Sequence, residues 1–166
     1  MYCKIFAMKK QILIGLIILF LQAGLLAQSS DVITEILDST KAATFGQVCY
    51  LSAVHQNLID EQASYEDALN ALYDKGQLIK RTEKDQPITF VDTVYIFSKI
   101  WEIHGGLMYR LSKGSSRYAF KQFQADGIIS KTTDPSTVIT GPEVLTLYTN
   151  ALKKYGGFDM NNVSME

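Results

Sequence analysis

The sequence predicts an all-α fold built from recurring helical units. Three observations predict it. Apolar residues recur at helical spacing through most of residues 28–157. Those stretches open on Ser or Thr and close on Gly. Finally, residues 68–106 overlay residues 119–157 without a gap at an offset of 51.

The first element is a leader. Met8-Lys9-Lys10 precedes an apolar run from Ile12 to Leu21, and Leu25-Leu26-Ala27 offers a large-x-small cleavage site. Basic start, apolar run and small-residue end are the parts of a secretory signal. Residues 1–27 are therefore expected to be removed, leaving Gln28 first, and Met8 is an alternative start. A retained anchor is the other reading, against which the shortness of the run counts. The destination is periplasmic, secreted or cell-envelope. No Cys lies near the cleavage point, so no lipid anchor is expected there.

The full chain of 166 residues has 16 basic and 17 acidic residues. Lys4, Lys9 and Lys10 leave with the leader, so 13 bases face 17 acids, a net charge of −4. That balance argues against sequence-independent binding to nucleic acid or anionic lipid. Cys49 is the only cysteine after residue 27. It cannot form an internal disulfide and reads as a buried small apolar residue.

Helices follow in order. Ser29-Ser30-Asp31 is a capping cluster before the stripe Val32, Ile33, Ile36, Leu37. A second helix spans about 45–58. A third begins after Ser64, carries Tyr65, Ala68, Leu69, Leu72 and Tyr73, and stops at Gly76. A fourth, about 90–103, is apolar on several faces, belongs at the centre of the core and stops at Gly105-Gly106. A fifth spans about 118–125 and a sixth about 142–155, stopped by Gly156-Gly157. Gln77-Leu78-Ile79 and Gly127-Ile128-Ile129 form at most brief extended contacts. Residues 158–166 read as a loose tail.

The long helices open alike. Thr89-x-x-Asp92 and Thr140-x-x-Glu143 read as capping boxes, and Thr44-Phe45-Gly46-Gln47 is a third copy. Three units follow, about 31–58, 65–106 and 117–157, each a short helix, a loop and a capped long helix.

Tyr118 to Ile129, then Thr140-Gly141-Pro142-Glu143, resembles the S-layer homology module: a leading helix, a Gly-Ile-Ile turn, a loop and a Thr-Arg-Ala-Glu helix start. Residues 65–92 match more weakly, and the likeness extends in degenerate form to 31–58. The resemblance implies a pseudo-threefold bundle of three modules with polysaccharide-binding grooves between them. The family's Arg after Thr is replaced by Phe45, Phe90 and Gly141, and its Asp-Gly-x-Phe-x-Pro loop is missing. The junction from Gly105 to Leu111 is also similar to small exported spirochaete envelope proteins.

Catalytic signals are absent from the sequence. His55 and His104 have no partners at metal-ligand spacing and read as structural. There is no nucleophile elbow and no phosphate-cradling glycine loop, so no enzyme activity, metal or cofactor is expected. The candidate ligand-binding patch is the linker carrying Arg110, Lys113 and Arg117 between Tyr109 and Tyr118. It suits an acidic protein surface or an anionic glycan; a plain solvated connector is the competing reading. The expected function is a non-catalytic envelope module that binds a protein partner, with an envelope or cell-wall glycan as the alternative.

Overall fold

The computed structural model describes residues 28–38, 41–101, 103 and 105–156. The leader, His104 and the tail lie outside these residues. Seven helices and no strand occur among them: α1 Gln28–Asp38, α2 Phe45–His55, α3 Tyr65–Asp74, α4 Phe90–Ile100, α5 Leu107–Leu111, α6 Ser116–Ala125 and α7 Gly141–Tyr155. The all-α expectation holds.

Buried peptide groups must find partners, and here three of them find one another. Ala43 N–H donates to the Ile139 carbonyl (2.8 Å), Ile139 N–H to that of Ile88 (3.1 Å), and Ile88 N–H to that of Ala43 (3.0 Å). The three residues thus close a ring, and all are fully buried. Each stands one residue before a Thr that caps a long helix. The brief extended contacts are therefore at 42–44, 87–89 and 138–140. They are not at 77–79 or 127–129, where Leu78 and Ile128 turn into the core instead.

The first amides of a helix have no partner inside it. In α2, those of Phe45 and Gly46 donate to the carbonyls of Gln86 (3.0 Å) and Lys84 (2.9 Å). In α4, those of Phe90 and Val91 donate to Thr137 (2.9 Å) and Pro135 (3.0 Å). In α7 the second position is Pro142, which has no amide hydrogen to satisfy. The caps add side-chain bonds. Gln47 N–H donates to Thr44 Oγ1 (3.4 Å), and Thr44 N–H donates back to Gln47 Oε1 (3.1 Å). Thr140 donates to Glu143 Oε2 through both its amide (2.8 Å) and its hydroxyl (2.7 Å). At Thr89 only half of the expected box forms. Asp92 N–H donates to the hydroxyl (3.3 Å), but the carboxylate accepts that hydroxyl (2.7 Å) in place of the amide.

Packing follows a consistent order. Helix α3 lies on α2, α6 on α4 and α1 on α7, while α4 touches both α2 and α7. Phe97, Phe123, Leu72, Val48, Val94 and Val144 fill the centre. The stops Gly76 (φ 69°) and Gly127 (φ 74°) occupy the left-handed region that glycine tolerates.

Some boundaries differ from expectation. Helix α2 ends at His55 because Asn57 turns left-handed (φ 53°) and Leu58 N–H reaches back to the Ala53 carbonyl (2.9 Å). Helix α1 begins at Gln28, so Ser29-Ser30-Asp31 lie inside its first turn. Helix α4 ends at Ile100, five residues before Gly105, so those glycines do not stop it. Helix α6 begins at Ser116 instead of 118, and α5 is an additional helix.

Cys49 is buried, and burial pushes its thiol up to about 12. His55 shares a 2.5 Å hydrogen bond with Tyr148 through Nδ1, edge-on to Trp101. Burial lowers its pKa below the ordinary 6.5.

Two outcomes are expected. Thr140→Ala removes the hydroxyl partner of Glu143 and costs about 0.5–2 kcal/mol in urea denaturation; an unchanged midpoint would refute the cap assignment. The His55 shift has a definite sign. The unfolded chain binds the proton more readily, so stability falls as pH drops below 6.5 toward the lower folded value. The melting temperature should decline over that window, and His55→Asn should remove that part of the decline.

Candidate functional site

The largest groove, about 740 Å³, lies between the end of α3, the last turn of α4 and α5 with its following turn. Among the described residues that line it, four are cations, Lys75, Lys99, Arg110 and Lys113, and none is an acid. Three of the four are exposed; Lys99 is half-buried. Its ammonium sits 4.7 Å above the Tyr95 ring and donates one long bond to the Gly114 carbonyl (3.4 Å). Partial burial lowers its pKa from 10.5, since desolvation disfavours the charged form. The only ion pair among the described residues is Lys84–Glu66, at 3.0 Å on the surface. A groove of unpaired cations can hold a carboxylate or another oxyanion by charge-assisted hydrogen bonds.

Local backbone holds this wall in place. Helix α5 opens at Gly106, whose N–H donates to Gln122 Oε1 on α6 (3.0 Å). Arg110 Nε donates to the Gly105 carbonyl (3.2 Å). Lys113 (φ 52°) and Gly114 (φ 66°) are both left-handed, and Gly114 N–H closes the turn on the Tyr109 carbonyl (2.9 Å). At Gly105, a Cβ would stand 2.7 Å from Tyr109 Cγ and 2.9 Å from Gln122 Oε1. Glycine is present there for space, not as the end of α4.

The five residues expected to form one patch are divided. Tyr109, Arg110 and Lys113 line the large groove. Arg117 lines another, of about 530 Å³, with Lys121 and Lys131. Tyr118 borders a third with Tyr109, Lys121 and Gln122, and Lys121 lies 5.6 Å from its ring. The division arises because half of the expected linker is helix: α5 ends at Leu111 and α6 starts at Ser116. Lys75 and Lys99 were not among the expected site residues. Each stands at a helix C-terminal end, where a cation complementing the helix dipole is ordinary and attracts no notice in a sequence.

The capping residues Thr44, Thr89, Asp92, Thr140 and Glu143 hold helix starts, as the bonds above describe. Among the described residues, no group of three His, Cys, Asp or Glu could hold a metal ion, and no helix is long and apolar enough to cross a membrane.

Gly105→Ala should lower stability by about 1–3 kcal/mol through overpacking against Tyr109. Gly106→Ala serves as the control, because only Gln122 Oε1, at 3.8 Å, lies near. Equal denaturation midpoints for the two variants would contradict this account of α5. No family model, curated protein or solved structure matches the chain.

Proposed function

We propose that this chain is a non-catalytic, exported cell-envelope module that binds an acidic segment of a protein partner in the groove between α3, α4 and α5. The observation that carries the reading is the set of four cations, Lys75, Lys99, Arg110 and Lys113, lining one groove with no acid among its described lining residues. Unpaired cations on a fixed wall favour an anionic ligand and reject a basic one. The export part of the proposal rests on the leader-like residues 1–27.

The fold proposed is three S-layer-homology-like units closed about a pseudo-threefold axis. Two features support it: the hydrogen-bonded ring Ala43–Ile139–Ile88, and the order in which α3 lies on α2, α6 on α4 and α1 on α7. In this reading the large groove lies between the second unit and the linker that joins it to the third. That position favours a second ligand class, an anionic envelope glycan, because the family's grooves lie between modules.

Titration with poly-glutamate and with purified cell-wall polymer, at low and high salt, separates the two. Poly-glutamate should bind with an affinity that falls as salt rises. Lys99→Gln with Arg110→Gln should weaken it about tenfold or more, each tenfold being ~1.4 kcal/mol. Retention on wall polymer alone would favour the glycan. Binding to neither, or binding insensitive to the double substitution, would refute the groove as the site.

A further inference from the structure

Helix α5 carries a feature that the groove does not use. It has no buried residue. Leu107 is 74% exposed, Leu111 69% and Met108 55%, so three of the chain's most exposed large apolar side chains sit within five residues. Leu107 and Leu111 are four apart and Met108 is next to the first, which puts all three on one side of the short helix. Soluble surfaces seldom cluster apolar side chains in this way without a use for them.

The helix is also held firmly. Tyr109 packs down against Gly105 and the core, Arg110 is bonded to the Gly105 carbonyl, and Gly106 is bonded to Gln122 of α6. The apolar side is therefore presented by a fixed element. The cations that follow it in sequence meet no acid until Asp126, which accepts hydrogen bonds from Gln122 and Tyr155. From Gly105 to Ala125 the chain has Arg110, Lys113, Arg117 and Lys121, and no acid. The net charge of −4 expected after leader removal hides this segment, and the general argument against anionic lipid does not apply locally.

We propose that α5 is a membrane-contacting edge: Leu107, Met108 and Leu111 enter the interfacial zone of a bilayer containing anionic lipid, and the four cations bind its headgroups. Apolar insertion combined with cation–headgroup attraction is how interfacial elements bind. Tyr118, half-buried beside Lys121, is an aromatic of the kind that settles at headgroup depth. A bilayer suits this surface better than a protein does. A protein would need a pocket shaped for each projecting side chain, whereas a fluid interface accepts them as they stand. This inference shares Arg110 and Lys113 with the groove reading but does not use Lys75 or Lys99.

The test places a reporter on α5 of the full chain. Leu111→Trp is mixed with vesicles of phosphatidylcholine, with or without phosphatidylglycerol, and wild-type emission from Trp101 is subtracted. With phosphatidylglycerol present, the introduced indole should shift to the blue and be quenched by brominated lipid. Arg110→Gln, Lys113→Gln, Arg117→Gln and Lys121→Gln together should reduce that response severalfold, as should high salt. Lys75→Gln with Lys99→Gln should leave it unchanged, which separates it from failure of the groove. Leu107→Trp repeats the measurement should the first variant fold poorly by circular dichroism. Four results would overturn the proposal: no response to any vesicle, an equal response without phosphatidylglycerol, emission already blue-shifted in buffer, or shielding by poly-glutamate but not by lipid.

Discussion

The ring of three peptide groups at Ala43, Ile88 and Ile139 is the constraint on which the other elements depend. With no sheet among the described residues, the chain still brings these extended residues into its centre, where an unpaired amide or carbonyl would be costly. The bonds among them satisfy one donor and one acceptor on each. Because every ring residue directly precedes a capping Thr, the ring also fixes where α2, α4 and α7 start. The carbonyls of Lys84, Gln86, Pro135 and Thr137 then meet the first amides of α2 and α4. Loops that look unconstrained in sequence are thereby tied to helices far from them along the chain.

The grooves between the helices differ in charge. On the α1 side, Tyr65 donates to Glu35 (2.9 Å), and Glu35 and Glu61 line the adjoining groove. On the α5–α6 side, the grooves carry Lys99, Arg110, Lys113, Arg117, Lys121 and Lys131. Residues 28–64 hold five acids and one base, so the charges are segregated along the chain as well as in space. A net charge describes the average of two unlike surfaces. Recognition depends on the local field, which decays over about 10 Å at moderate salt.

The features that could be read from sequence were the local ones. Capping Thr residues, glycine stops at Gly76 and Gly127 and the stripes of α3, α4 and α7 each act within one or two helical turns, so spacing alone exposes them. Helix α5 escaped for the same reason in reverse. Five residues are too few for a 3.6-residue period to register, and Gly105-Gly106 before them mimics a stop. The half-box at Thr89 and the split of Arg110 from Arg117 depend on side-chain geometry and on the turn at Lys113-Gly114. The pairing of Lys75 with Lys99 needs α3 and α4 to be placed together first.

The positions after the capping threonines bear on how such a fold could bind anything. In the S-layer homology module, on which the proposed fold is patterned, a cation stands there. Here Phe45 is buried, Phe90 packs half-buried against the core, and Gly141 is buried. An arginine at any of the three would have to displace core contacts or lie unpaired in a poorly hydrated place. The helix starts in this chain are therefore committed to packing. The free cations stand instead at Lys75 and Lys99, at the closing ends of α3 and α4, and along α5 and α6. In the binding proposed here, recognition lies away from the centre, where the peptides of Ala43, Ile88 and Ile139 are bonded to one another. On the rim, substitutions can change what is bound without loosening the peptide ring.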